Sequence, residues 1–316
     1  VDIVSQTSLF LIALLSGVCF GSMSWSYQMG RKLKVPATQI AFVALTGGFF
    51  FFLGYLYYNH RVNGLPPGNP WMAPWPVWIF TMVGGVGQVM TVALIDPAQK
   101  RGPSAPVFCA MNLLFLPASL YAMGVLKETI TPLQGLGLVT AIGCVAVAGK
   151  AQSVSASEGP VLRSRLNVLI YPLYLLGLMV SSSLATIVMK QLQAMPYENG
   201  TLFTYYQGLY LCLTYACGVG GLALILTRSG WSTFQTKRAI GLGSFAAVGS
   251  ISGFLTFCRI SALPGGVGFA LANIVCFVTI ALISAFLFQE KRNWAWYLTL
   301  LLAVIGVSLF ALGMNR

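Results

Sequence analysis

Acidic charge is scarce in this sequence: 6 Asp and Glu stand against 18 Lys and Arg in 316 residues, and charged residues together make up 8% of the chain. A soluble globular domain carries about a quarter charged residues, so that class is excluded. Histidine is scarcer still, with His60 alone. Haem ligation and His-rich zinc sites therefore lack their donors. The seven cysteines, Cys19, Cys109, Cys144, Cys212, Cys217, Cys258 and Cys276, all fall in apolar segments and form no CxxC pair. Neither disulfides nor structural metal are expected, and no cofactor is. A nucleophile paired with a base is missing too, so the chain does not read as an enzyme, although an interfacial lipid-handling protein is the alternative from that class. No filter-like repeat marks a channel. The first apolar run is not preceded by a basic stretch, so a cleavable signal peptide is not expected.

What the sequence has in abundance is apolar length: 57% of residues are hydrophobic and the mean hydropathy is +0.80. A bilayer core offers backbone groups no water, so apolar runs of about 20 residues cross it as helices that satisfy their own hydrogen bonds. Runs broken by charge, Pro or Gly predict helices near 8–28, 37–58, 75–95, 104–126, 132–149, 167–189, 202–226, 239–260, 266–288 and 294–313. The expected fold class is an all-α polytopic protein of the inner (plasma) membrane with ten transmembrane helices. Pro117, inside the fourth, predicts a kink.

The net charge of +12 would suit nucleic acid in a soluble domain, but here the basic residues lie between the apolar runs and report orientation. Loops after the odd-numbered helices hold 13: Arg31, Lys32, Lys34, Lys100, Arg101, Lys150, Arg163, Arg165, Arg228, Lys237, Arg238, Lys291 and Arg292. The other side holds five: Arg61, Lys127, Lys190, Arg259 and Arg316. The positive-inside rule then places both termini outside the cytoplasm.

The halves resemble each other. Val83-Gly84-Gly85-Val86-Gly87-Gln88-Val89-Met90-Thr91 is followed 165 residues later by Val248-Gly249-Ser250-Ile251-Ser252-Gly253-Phe254-Leu255-Thr256. Asn112 precedes Glu128 by 16 residues as Asn273 precedes Glu290 by 17, and Gly143 answers Gly306. A unit of five helices repeated once enters the membrane from opposite sides, which makes an inverted repeat. Residues 1–150 form the first unit, 151–166 a cytoplasmic linker and 167–316 the second.

This duplicated five-helix unit, with a Glu after helices 4 and 9 and a Gly-rich helix following each, resembles the drug/metabolite transporter superfamily over nearly the whole chain. Ser16-Gly17-Val18-Cys19-Phe20-Gly21, running to Arg31-Lys32-Leu33-Lys34-Val35-Pro36, is similar to the first-helix pattern of glucose/ribose porters and rhamnose:proton symporters. The third helix, opening on Trp75-Pro76-Val77-Trp78, is similar to theirs as well. The resemblance implies a carrier. One departure is orientation: exporters of that superfamily keep both termini cytoplasmic, and the loop charges here argue the reverse.

Polar groups inside spanning helices are costly unless they face a cavity or a partner. Asn112 and Asn273, near the membrane middle, are the first substrate-binding candidates; the alternative for each is a hydrogen bond to a neighbouring helix. Gln88 and Thr91 share a face three residues apart, and Thr256 answers Thr91. A threonine can instead bond its own helix carbonyls. Trp25 offers an aromatic face or an interfacial anchor, and the serines around it, with Ser181–Ser183, suit close packing. Gln207 and Tyr210 complete the set. No acid lies at mid-membrane, so proton coupling, if present, falls to Asp96, Glu128 or Glu290. The expected function is movement of a small, polar, neutral, sugar-like solute by alternating access, with broad export of amino acids or drug-like metabolites as the alternative. Expected partners are the small-molecule substrate and membrane lipids, with no nucleic acid; small residues on helices 5 and 10 suit either internal packing or a homodimer.

Overall fold

The computed structural model describes residues 3–64, 73–101, 107, 110–155, 165–195, 200–229, 234, 236–287 and 294–314. Among them are ten α-helices and no strand. They are α1 Ile3–Lys32, α2 Ala37–Asn63, α3 Trp75–Arg101, α4 Phe115–Gly124, α5 Pro132–Ser155, α6 Arg165–Ala194, α7 Gly200–Ser229, α8 Thr236–Ile260, α9 Val267–Leu287 and α10 Trp294–Met314. Eight are long and apolar enough to cross a membrane; the segments Ala110–Gly124 and Pro132–Val147 are shorter apolar helices. The chain is a multi-pass helical membrane protein.

Most helices outrun the spans expected from hydropathy. α1 begins five residues early, and α6 runs on to Ala194. Hydropathy marks where lipid touches the chain, whereas a helix continues as long as its backbone bonds are made. The fourth helix departs furthest. Residues 110–112 are helical, 113 and 114 turn, and α4 starts at Phe115. Pro117 sits in the first turn of α4: it has no N–H to give and its ring crowds the carbonyl four residues back, that of Leu113. The break therefore lies ahead of the proline, where Leu116 N donates instead to Leu113 O in a tighter turn.

Short connections between spanning helices make successive helices alternate in direction. One end of the bundle then carries the start of α1 and the ends of the even-numbered helices, and is the terminal end. The other carries the ends of the odd-numbered helices, and is the basic end. Side-chain bonds between distant segments agree: Arg238 of α8 donates to Leu33 O beyond α1 at the basic end, and Lys190 of α6 reaches Glu128 at the terminal end.

Helix contacts pair the two halves. α1 packs on α8 and α9 as α6 packs on α3 and α4; α2 packs on α8 as α7 packs on α3; α2 meets α7 and α5 meets α10. Between helices already surrounded by hydrocarbon, close approach depends on small residues. A Cβ at Gly87 would stand 2.7 Å from Ser181 O of α6, and one at Gly249 would stand 2.8 Å from Cys19 O of α1. Glycines thus permit the close approach of α3 to α6 and of α8 to α1. The small residues of α5 face α10 internally, with Gly137 against the Phe310 ring.

Candidate functional site

A cavity of about 410 Å³ lies between the halves, within the roughly 300–1,000 Å³ typical of small-molecule sites. Its wall comes from α1, α2, α3, the segment around Asn112, α6, α8 and α9. α5, α7 and α10 supply none of it. Both halves contribute, and the wall is mainly apolar, with Phe20, Tyr27, Phe254 and Phe257 giving aromatic faces.

Four of the eight substrate-binding candidates stand on this wall: Gln88, Thr91, Asn112 and Asn273. Among the described residues, no partner approaches the Gln88 side-chain amide, which is half-buried. Asn273 donates one Nδ2 proton to Phe269 O of its own helix at 2.8 Å, so its second N–H and its carbonyl oxygen remain for a solute. Thr91 donates to Gly87 O at 2.8 Å and meets Ser181 Oγ at 2.9 Å. The other four candidates are absent from the wall. Trp25 lies edge to face with Phe245 of α8, centroids 5.3 Å apart. Gln207 donates to Cys258 O at 3.3 Å, Tyr210 donates to Ala185 O at 3.3 Å, and Thr256 returns its hydroxyl to Ser252 and Gly253 of its own helix. Gln207, Tyr210 and Thr256 each answer their polar group at a helix contact or along their own backbone, which engages it without a solute.

Among the described residues the cavity's charged groups are Lys34 and Asp96, both toward the basic end. From Gln88 to Asp96 the rise along α3 is about 12 Å at 1.5 Å per residue, so the polar middle of the cavity is uncharged. Of the three coupling candidates, Asp96 is on the wall. Glu128 is elsewhere: it holds Lys190 at the terminal end. Glu290 lies outside the described residues, as does 156–164 of the connection between halves. Among the described residues no group of three His, Cys, Asp or Glu could hold a metal ion.

Several wall residues lie outside the candidates that the sequence offers, among them Lys34, which reads as a loop charge, and Ser250, which reads as part of a repeat motif. Ser250 shares a 2.6 Å hydrogen bond with Tyr215 of α7. Its match to the repeat motif of α3, which carries Gln88, was the available signal.

At the terminal end the cavity stops on packed rings. Phe257 and Phe269 lie 4.5 Å apart, centroid to centroid, and Met189 of α6 is buried. Four residues beyond Thr186, or about 6 Å along α6, Lys190 is 1% exposed. Its Nζ donates to Glu128 Oε1 at 2.9 Å, to Glu128 Oε2 at 2.8 Å and to Leu263 O at 2.8 Å. Glu128 Oε2 also accepts from Gly265 N at 2.6 Å. Gly265 and the following Gly266 have φ of +58° and +71°, the left-handed region that a side chain disfavours.

No family model matches the chain, and no curated protein does. Solved structures do match. One, described only as a crystal structure of a protein, is similar over 98% of this chain and 98% of its own, with a TM-score of 0.72 at 16% identity. That likeness places the whole chain in a fold already seen as one unit, and at this identity it speaks for fold alone.

Proposed function

We propose that the chain is a secondary carrier for a small, polar, uncharged solute, with the central cavity as its binding site. The observation that carries this reading is the Gln88 amide, which has no protein partner inside a cavity that both halves line. A polar group left unanswered in a membrane interior is costly, and a solute hydroxyl or amide answers it. Asn112 and Asn273 stand on the same wall, and the uncharged middle favours hydroxylated solutes over ions. Sugars and polyols suit a wall that combines amides with aromatic faces.

The carrier mechanism is alternating access by two inverted five-helix repeats. It is supported by the matched motifs of α3 and α8 and by helix contacts that repeat when first-half and second-half helices are exchanged. Membership of the drug/metabolite transporter superfamily, on its sugar-porter side, fits the same features. With termini on the non-cytoplasmic face, as the loop charges argue, the basic end faces the cytoplasm and the cavity extends toward it. Asp96, the wall's carboxylate, is the group placed to couple protons to the solute. A second reading, export of varied amino acids or drug-like metabolites, draws on Met23 and Met111 beside the four aromatic rings, since methionine adapts to many shapes.

A thermal-stability screen of the detergent-purified chain against sugars, polyols, amino acids, nucleosides and quaternary amines tests this. A ligand at a hundred times its dissociation constant stabilises by about 2.7 kcal/mol. Stabilisation by one hydroxylated class, lost in Gln88→Leu and Asn273→Ala, supports the proposal. Stabilisation by amines or amino acids alone favours the second reading, and a sugar response indifferent to both substitutions contradicts the site.

A further inference from the structure

We propose that Glu128, Lys190 and the Leu263–Gly265 turn form the latch of the carrier's terminal gate, which is shut in this structure; the inference rests on the alternating-access reading above. The latch joins the two halves. Glu128 follows α4, in the first half, whereas Lys190 on α6 and the α8–α9 turn belong to the second. All three protons of the Lys190 ammonium are directed at protein oxygens, two on the carboxylate and one on Leu263 O. The carboxylate in turn accepts from Gly265 N, so one side chain of the first half holds both a helix and a turn of the second.

The turn is also shaped to receive it. Its left-handed glycines let the backbone approach so closely that a Cβ at Gly266 would stand 2.5 Å from Ser119 Oγ of α4. Beneath the latch, toward the cavity, the Phe257–Phe269 ring pair and Met189 exclude water. At the opposite end the cavity wall reaches Lys34 and Pro36, in the connection after α1. Among the described residues the cavity is closed off at the terminal end and extends toward the basic end.

Rocking the halves to expose the cavity at the terminal end has to separate Glu128 from Lys190 and Gly265. Glu128 is 27% exposed while Lys190 is 1% exposed, so water can reach the carboxylate side of the pair first. Ion pairs that cross a moving interface are among the contacts exchanged in such transitions. On this account weakening the pair raises the population of terminal-open molecules, because it removes interactions made only when that end is shut.

The test uses Ser182→Cys, part-exposed on the cavity wall, in a chain whose native cysteines are replaced by alanine, reconstituted in vesicles of defined orientation. A membrane-impermeant maleimide is applied from either face, with Val62→Cys reporting access from the terminal face. In the parent, Ser182→Cys is expected to react from the basic face and to resist reagent from the terminal face. Adding Glu128→Gln, which removes the charge but keeps an acceptor for Gly265 N, or Lys190→Met, should raise the terminal-face rate at least tenfold and lower the basic-face rate. If both variants stay protected from the terminal face while reacting from the basic face, the latch is wrong and the cavity stands. If the parent does not react from the basic face, the cavity reading itself is wrong.

Discussion

Replacing Glu128 by alanine leaves the Lys190 ammonium with Leu263 O as its remaining hydrogen-bond acceptor among the three contacts found here. Removing one member of a buried pair costs about 3–5 kcal/mol, because the other charge stays buried without compensation. Glu128 is 27% exposed, so water already screens part of the interaction, and the lower end of that range applies. The expected loss is about 3 kcal/mol, roughly a hundredfold in the unfolding equilibrium. Glu128→Ala with Lys190→Met removes the stranded charge as well. Since an ion pair and an apolar replacement of similar volume are close in energy, the double variant should recover most of that loss. Reversible unfolding by titration with a denaturing detergent, followed by tryptophan fluorescence, supplies all four corners of the double-mutant cycle. A Glu128→Ala variant within about 0.5 kcal/mol of the parent, or a double variant less stable than either single one, would refute the reasoning.

The remaining expectations concern the site and the helix contacts. Gln88→Leu should raise the KM for the transported solute while leaving the unfolding midpoint close to that of the parent, because the amide bonds no protein group; an unchanged KM contradicts its role. Asp96→Asn should abolish solute accumulation driven by a proton gradient while preserving solute exchange, and gradient-driven uptake that survives it would remove Asp96 from coupling. Gly249→Val forces a side chain against α1 at Cys19 O and Ser22 Oγ and should cost about 1–3 kcal/mol by overpacking. Gly220→Val, where nothing lies within 4 Å of the added Cβ, should cost less; equal losses in the two would mean that helix propensity, not close approach, sets the penalty.

The sequence announced its helices because a lipid-facing surface has to be apolar over the full thickness of the bilayer. Pro117 signalled a break, but the break's position at 113–114 depends on which carbonyl the ring crowds. Gln88, Asn112 and Asn273, which the structure places on the cavity wall, stood out in the sequence because amides in a span are few. Gln207, Tyr210 and Thr256 carried the same polar signal and are answered at helix contacts or by their own helices. Residue type records the presence of a polar group; which neighbour faces it is decided by helix rotation, which hydropathy does not encode. The Lys190–Glu128 pair was least legible. Lys190 looked like a loop charge because α6 runs past its apolar stretch, and its partner stands 62 residues away in sequence.

Solute counterflow tests the central claim most directly. Proteoliposomes are loaded with a high concentration of the unlabelled solute selected by the stability screen, then diluted into a trace of the labelled form. One cavity that faces each side in turn should carry labelled solute inward on each return. The label should rise transiently above its equilibrium level, and the overshoot should vanish in Asn273→Ala. Label that rises only to equilibrium, at a rate indifferent to the internal load, would contradict alternating access through this cavity.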